Sequence, residues 1–384
     1  MHGDDGQAGG RPARRKIRVG VVFGGQSGEH DVSLRSARAV MGALDPARYE
    51  VVPLGITREG QWLAGGDPLR RLESHSDLAR LEGRAQEGEG EAVAGECRAL
   101  VGTATPPVFD RQGAPGGPVD VIFPVLHGPH GEDGTLQGLL ELANVPYVGA
   151  GVLASALAMD KAVVKTLLAQ VDIPQAPYAV VLRRDWQRDA GAVEERVARE
   201  IGYPCFVKPA NMGSSVGISK VHHEGELPAA LDLAAAYDRK LVVEKGITGR
   251  ELEISVLGND DPIASVISEI HPAHEFYDYE AKYVDDGTTF TVPARIPEAT
   301  AERLRDYALR AFKALDCAGM ARVDFFLEAG TDQLLLNEIN TIPGFTQISQ
   351  YPRMWEASGL PFGELVERLL ELALERYADK QNRL

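Results

Sequence analysis

Apolar residues recur along this chain in two rhythms. Ile17 to Phe23 is nearly all apolar and predicts a strand buried on both faces. It breaks at Gly24-Gly25-Gln26-Ser27-Gly28, after which Leu34, Ala37, Val40, Met41 and Leu44 fall at helical spacing. Strand, glycine turn and helix open an α/β unit. Val51 to Ile56 predicts the next strand. Val119 to Leu126 predicts another, feeding His127-Gly128-Pro129-His130-Gly131-Glu132-Asp133-Gly134 and a helix over Thr135 to Leu142. Leu63 to Pro118 loses periodicity and reads as an insertion of loops and short edge elements. Met1 to Arg15 is Gly-rich and polar, and reads as a disordered tail. Beyond Gly149 come a helix over Lys161 to Gln170 and strands over Tyr178 to Leu182, Pro204 to Lys208 and Leu241 to Lys245. Glu251 to Leu257 and Ile263 to Ser268 read as antiparallel strands. Glu298 to Leu315 and Phe362 to Tyr377 read as amphipathic helices. The first half is therefore α/β with a parallel sheet, and the second half α+β.

The rhythm of two is clearest at Arg322-Val323-Asp324-Phe325-Phe326-Leu327-Glu328 and Leu334-Leu335-Leu336-Asn337-Glu338-Ile339-Asn340. The intervening Ala329 to Gln333 suits a hairpin loop. If Glu328 pairs with Leu334, Asp324 lies opposite Glu338 and Arg322 opposite Asn340. Side chains two apart share a face, so all four meet on one surface. Facing carboxylates cost up to about 1 kcal/mol unless neutralised. Oxygen ligands of this kind suit Mg²⁺ beside a phosphate-bearing substrate; a solvated hairpin face with one Arg–Asp pair is the other reading. The strand then runs into Thr341-Ile342-Pro343-Gly344-Phe345, whose Pro-Gly step ends the ladder and exposes backbone N–H groups.

Other stretches carry weaker signals. Lys208 ends a strand and precedes Pro209-Ala210-Asn211-Met212-Gly213-Ser214-Ser215-Val216-Gly217. A loop of small residues can cradle phosphate oxygens with its N–H groups, or be a flexible hairpin loop. It lacks the Gly-Lys-Ser/Thr ending of a Walker A motif, and the turn after the first strand is not GxGxxG. His127 and His130 sit in a Gly/Pro loop and do not read as a metal pair. Phe276-Tyr277-Asp278-Tyr279-Glu280-Ala281-Lys282-Tyr283 has no clear period and reads as a lid.

Composition narrows the class. The 384 residues include 44% hydrophobic and 25% charged, ordinary for a globular chain of two or three domains. A formal charge of −16 argues against nucleic acid or an anionic membrane as partner. Cys97, Cys205 and Cys317 show neither zinc spacing nor a disulfide framework. No apolar run or leader is long enough for a membrane span or a signal peptide, so a cytoplasmic location is expected.

Taken together, Gly24 to His30, Lys208 to Gly217, Glu280 to Tyr283 and Asn337 to Phe345 resemble D-alanine–D-alanine ligase, a family of the ATP-grasp superfamily. The match runs from about Lys16 to the last helix. The resemblance implies an N-terminal α/β substrate domain over 16–149, a central ATP-grasp subdomain over 150–240 and a C-terminal one over 241–384, with ATP held between two antiparallel sheets. It implies a D-alanyl phosphate made from ATP and one D-alanine, whose phosphate the amine of a second D-alanine displaces to give the dipeptide used in peptidoglycan.

Residue by residue, the resemblance implies Asp324, Glu338 and Asn340 as ligands of two Mg²⁺ ions, or Mn²⁺, and admits a monovalent cation. It implies nucleotide contacts at Lys161, Lys208, Ser214, Glu244, Lys245, Ile247, Glu251, Phe276, Lys282, Asn337 and Glu338. Glu29 would hold the first D-alanine's ammonium, with Ser214 and Tyr283 as partners and His127 nearby. Arg322 and the Gly344 N–H would face the oxyanion, and Ser349 the second D-alanine's carboxylate. Lys282-Tyr283 is the lid form expected for dipeptide rather than depsipeptide synthesis. A homodimer is implied. The competing readings are another ATP-grasp ligase, a silent ATP-binding regulator, which the intact Arg322, Asp324, Glu338 and Asn340 oppose, and a nicotinamide dehydrogenase, which the missing GxGxxG opposes.

Overall fold

The computed structural model describes residues 15–74, 98–99, 118–272 and 287–382. Most of the expected tail, much of the 63–118 insertion, and the segment carrying Phe276, Lys282 and Tyr283 lie outside the described residues. Arg15, expected within the tail, pairs with Asp120 at 2.6 Å.

Three sheets carry the fold. The first holds β1 (Ile17–Gly24), β2 (Tyr49–Ile56), β3 (Trp62–Ala64), β4 (Arg98–Ala99) and β5 (Val121–Pro124), in the order β4-β3-β2-β1-β5. β1 runs parallel to β2 and β5, while β3 and β4 add antiparallel edge strands. The apolar runs that predicted β1 and β5 are buried at almost every position. The second sheet holds β6 (Tyr178–Leu182), β7 (Cys205–Pro209), β8 (Ser219–Val221) and β9 (Lys240–Lys245), in the order β6-β9-β7-β8 and antiparallel throughout. The third holds β10 (Gly249–Gly258), β11 (Ile263–His271), β12 (Thr289–Thr291), β13 (Gly319–Glu328) and β14 (Leu334–Asn340), also antiparallel, in the order β12-β11-β10-β13-β14.

The expected subdomain cut between 240 and 241 falls at the start of β9. That strand pairs with β6 on one side and β7 on the other, so the central sheet continues to Lys245. The end of the chain also departs from a simple three-part division. The Phe362–Gln381 helix buries Leu365, Val366, Leu369 and Leu370 in one core with Val21, Phe23 and Phe123 of the first sheet.

Phe345 belongs to the same core. It is fully buried, with ring centroids 5.5 Å from Phe123, 5.8 Å from Tyr351 and 5.6 Å from Phe362. Burying such a ring stabilises by roughly 1.5–3 kcal/mol. It pins the loop that leaves β14 against the carboxyl ends of β1 and β5, where open α/β sheets bind ligands. The turn after β1 needs glycine at Gly24: φ is +90°, and a Cβ there would lie 2.2 Å from the Ile56 carbonyl oxygen.

Candidate active site

A cleft of about 790 Å³ opens between the second and third sheets and reaches the loops after β1 and β5. Every described residue singled out from the sequence lines it: Glu29, His127, Lys161, Lys208, Ser214, Glu244, Lys245, Ile247, Glu251, Arg322, Asp324, Asn337, Glu338, Asn340, Gly344 and Ser349. Phe276, Lys282 and Tyr283 fall outside the described residues.

The hairpin forms its polar face by a different register from the one expected. Leu334 pairs with Leu327, not Glu328, and a bulge between Asp324 and Phe325 then shifts the ladder by one. Asn337 is the extra residue, since Leu336 faces Phe325 and Glu338 faces Asp324. Bulges re-aim side chains in this way. The result keeps Asp324 opposite Glu338 and Arg322 opposite Asn340.

Arg322 grips Asp324 with two bonds, Nε to Oδ1 at 2.8 Å and Nη2 to Oδ2 at 2.7 Å. Asn340 Nδ2 donates to Asp324 Oδ2 at 3.0 Å. Glu253 of β10 pairs with Asp324 in the ladder, and its Oε1 lies 3.1 Å from Arg322 Nε. Three carboxylates thus lie in one row across β10, β13 and β14. Burial opposes the Arg322 charge, but Asp324 and Glu253 together raise its pKa further. Among the described residues no group of three His, Cys, Asp or Glu side chains forms a metal cluster. Two carboxylates and an amide still fit Mg²⁺, which takes few protein ligands and completes its shell with water and phosphate oxygens.

On the facing sheet, Glu244 is buried between two ammonium groups. Lys165 holds its Oε1, and Lys208 Nζ lies 2.6 Å from Oε2. Burial would raise the Glu244 pKa, but Lys208 and Lys165 hold it down to about 2. Burial likewise works against the Lys208 charge, and Glu244 raises its pKa nonetheless. Lys165 escapes sequence reasoning because a lysine one helical turn after Lys161 looks like a surface residue, yet it is 2% exposed. Lys161 Nζ donates to the Met212 carbonyl at 2.7 Å, tying the helix to the Gly/Ser loop. Ser214 and Ser215 there adopt φ of 50° and 59°, a left-handed conformation that costs energy outside glycine. Ser214 Oγ is buried with no hydrogen-bond partner among the described residues.

Glu29 sits at the start of the His30–Ala43 helix, and its Oε2 lies between Gly128 and Gly213. His127 is 4% exposed. Burial lowers its pKa, although Glu29 pulls the other way. Its Nδ1 lies 2.9 Å from the Ile342 carbonyl, an acceptor only, so the neutral ring carries its proton there. Nε2 then accepts from Ser36 Oγ at 3.2 Å, and Ser36 Oγ accepts the Phe345 N–H at 3.3 Å. Glu132 makes a second clamp: Oε2 accepts the Gly128 N–H at 2.7 Å and Oε1 the Ile342 N–H at 3.0 Å. Burial and the Glu29 carboxylate raise its pKa to about 8. Both clamps fix the loop that presents the Gly344 N–H. Ser349 Oγ accepts the Thr346 N–H at 3.0 Å and lies 2.8 Å from Thr346 Oγ1, closing that loop.

Comparison with known proteins agrees over nearly the whole chain. Residues 18–150 match the family model for the D-ala D-ala ligase N-terminus and residues 167–371 that for the C-terminus. The D-alanine–D-alanine ligase of Heliobacterium modesticaldum is 51% identical over 95% of this chain and 97% of its own. That of Geobacillus kaustophilus is 50% identical over 95% and 97%. Among solved structures, the D-alanine-D-alanine ligase from Coxiella burnetii matches with a TM-score of 0.76 at 38% identity, covering 95% of this chain and 96% of that one. The VanG D-Ala:D-Ser ligase from Enterococcus faecalis matches with a TM-score of 0.78 at 34% identity, covering 94% and 100%. The chain belongs to the D-alanine–D-alanine ligase family and has its ATP-grasp fold.

Proposed function

We propose that this protein joins two D-alanines to D-alanyl-D-alanine at the expense of ATP, through a D-alanyl phosphate, as a step of peptidoglycan precursor synthesis. The observation that carries the reading is the single cleft lined by Arg322, Asp324, Glu338 and Asn340, by Lys161 and Lys208, and by Glu29. Phosphoryl transfer asks a protein chiefly to position groups and neutralise charge. Lys161 and Lys208 meet the phosphates, joined by Lys282 from the lid segment. Lys245, Ile247, Glu251 and Phe276 hold the nucleoside, and Glu244 keeps Lys208 in place until the nucleotide arrives. Asp324, Glu338 and Asn340 would hold two Mg²⁺ ions, which when bound neutralise the transferring phosphate's charge.

Glu29 takes the first D-alanine's ammonium, so its carboxylate points at the γ-phosphate. Ser214 and Tyr283 complete that contact. The carboxylate oxygen attacks phosphorus and ADP leaves. The second D-alanine's amine then attacks the acyl carbon, and the Arg322 guanidinium and Gly344 N–H receive the oxyanion. The C–O bond breaks, phosphate departs, and the amine's proton is lost to solvent or phosphate. Losing one such oxyanion donor typically costs about 10²–10³ in rate. Ser349 orients the second carboxylate. A cytoplasmic homodimer is the proposed working form. No helix among the described residues is long and apolar enough to cross a membrane.

The test is ADP release with Mg·ATP and D-alanine, with L-alanine and a chelator as controls and with D-serine and D-lactate as rival acceptors. Release that needs D-alanine and metal, with D-alanyl-D-alanine as main product, is expected. Nucleotide binding with no D-alanine-dependent release overturns the reading, and preference for D-serine or D-lactate overturns its acceptor.

A further inference from the structure

Arg322 has two claimants, and only one of them is expected to bind metal. Asp324 takes Nε and Nη2 at 2.8 and 2.7 Å, and Glu253 Oε1 lies 3.1 Å from the same Nε. The Glu253 side chain is only 4% exposed, so water does little to screen this pair. Because β13 runs between β10 and β14, Glu253 and Glu338 stand two strand spacings apart, about 10 Å at the backbone. Glu253 and Glu338 thus flank Asp324 from opposite neighbouring strands, and the Glu253 carboxylate is engaged with Arg322 at 3.1 Å.

We infer that Glu253 is the positioning residue that keeps the Arg322 guanidinium aimed at the reacting acyl carbon once Asp324 turns its charge to the metal. This rests on the proposed roles of Asp324 and Arg322. A divalent ion on Asp324 weakens that carboxylate's hold on Arg322 and repels the guanidinium directly. An unopposed arginine would leave the position from which it serves the oxyanion, while the nucleotide contacts stay as they are. A second buried carboxylate at 3.1 Å holds it in place throughout the cycle.

The test is a double-mutant cycle on the full-length enzyme with Glu253→Gln, Arg322→Lys and the pair, read as kcat, KM for ATP, half-saturating Mg²⁺ and thermal midpoint. Glu253→Gln is expected to lower kcat about 10- to 100-fold while KM for ATP and half-saturating Mg²⁺ stay within about 2-fold. In the Arg322→Lys background the same change is expected to cost less than about 2-fold, because groups acting as a unit are non-additive. Additive losses, an unchanged kcat, or a shift in half-saturating Mg²⁺ would each overturn the inference, the last by making Glu253 a ligand. Glu253→Asp, which keeps the charge but shortens the reach, carries the same cycle if the Gln variant does not fold. Asp324→Asn separates the underlying reading: if it leaves half-saturating Mg²⁺ unchanged, the metal assignment fails, whereas the Glu253–Arg322 coupling is measured independently.

Discussion

Glu132 shows how far one side chain's chemistry depends on its neighbours. Its pKa rises to about 8 because it is buried and because Glu29 is close. Between about 4.5 and about 8 the folded protein therefore holds a proton that the unfolded chain releases. The stability this contributes is complete below the unfolded value and lost as pH rises through the folded one. An ammonium on Glu29 would cancel that repulsion, the smaller of the two causes, and lower the Glu132 pKa, so D-alanine binding near pH 7.5 should release a fraction of a proton. Calorimetric titration in buffers of different ionisation enthalpy measures that fraction. Glu132→Gln should abolish it, and a buffer-independent heat in the unaltered enzyme would remove Glu132 from this role. Glu338 tests the metal set. Replacing it with Gln removes a ligand carboxylate at nearly constant shape, and should cut kcat by roughly 10³-fold, the several kcal/mol a metal supplies, with little change in thermal midpoint. Normal turnover would sink the assignment. Arg322, Asp324, Glu338 and Asn340 were legible in the sequence because strand alternation places them locally. Glu132 and Glu253 were not. Glu132 sits in an aperiodic Gly-rich loop, and the role of Glu253 depends on β10 pairing with a strand some seventy residues away.

At the scale of the element, the β13–β14 hairpin reached the expected face by an unexpected route. Strict alternation from Glu328–Leu334 would give the observed pairing at Asp324 without a bulge. The chain instead closes a shorter hairpin at Leu327–Leu334 and restores the pairing with the extra Asn337. Nothing in Leu334-Leu335-Leu336 announces this, because three apolar residues in a row fit either register. The following loop matters as much as the strands. Phe345 anchors it by packing against Phe123, Tyr351 and Phe362, and the Ser36, His127 and Glu132 bonds hold its backbone. Phe345→Ala should destabilise by about 3–5 kcal/mol, seen as a lower urea midpoint. Phe345→Leu keeps most of the burial but loosens the fit, and should lower kcat more than it raises KM for ATP, because it moves the Gly344 N–H and leaves the nucleotide walls alone. Equal effects on both constants would show that the loop does not position the oxyanion donor.

The whole molecule is joined by its ends. Sequence rhythm placed most of the strands, but it did not assign Leu241 to Lys245 to the second sheet, and could not show that the final helix, read as amphipathic, buries its apolar stripe in a core shared by the first sheet and by Leu257 and Met320 of the third. That helix supplies Leu365, Val366, Leu369, Leu370, Leu372 and Ala373 to the core holding Val21, Phe23 and Phe123. Arg376 adds a bond to the Tyr147 carbonyl at 3.1 Å and a cation–π contact at 4.5 Å from the Tyr147 ring centroid. A large buried apolar side chain stabilises by about 1.5–3 kcal/mol, whereas whole domains are stable by only about 5–15 kcal/mol. The helix thus contributes on the scale of the first domain's entire stability. Residues 16–149 expressed alone should therefore fail to fold cooperatively, with no sharp thermal transition and with dye-binding apolar surface. Removing residues 362–384 from the full chain should leave the second sheet folded, because Val181, Val197, Val207, Leu231 and Val243 belong to a separate core that includes no residue of that helix. Limited proteolysis of the truncated chain is the measurement. Preferential cutting within 16–149, with the stretch around 178–245 protected, is the expected pattern. Uniform protection would mean that the first sheet holds its own apolar face without the helix.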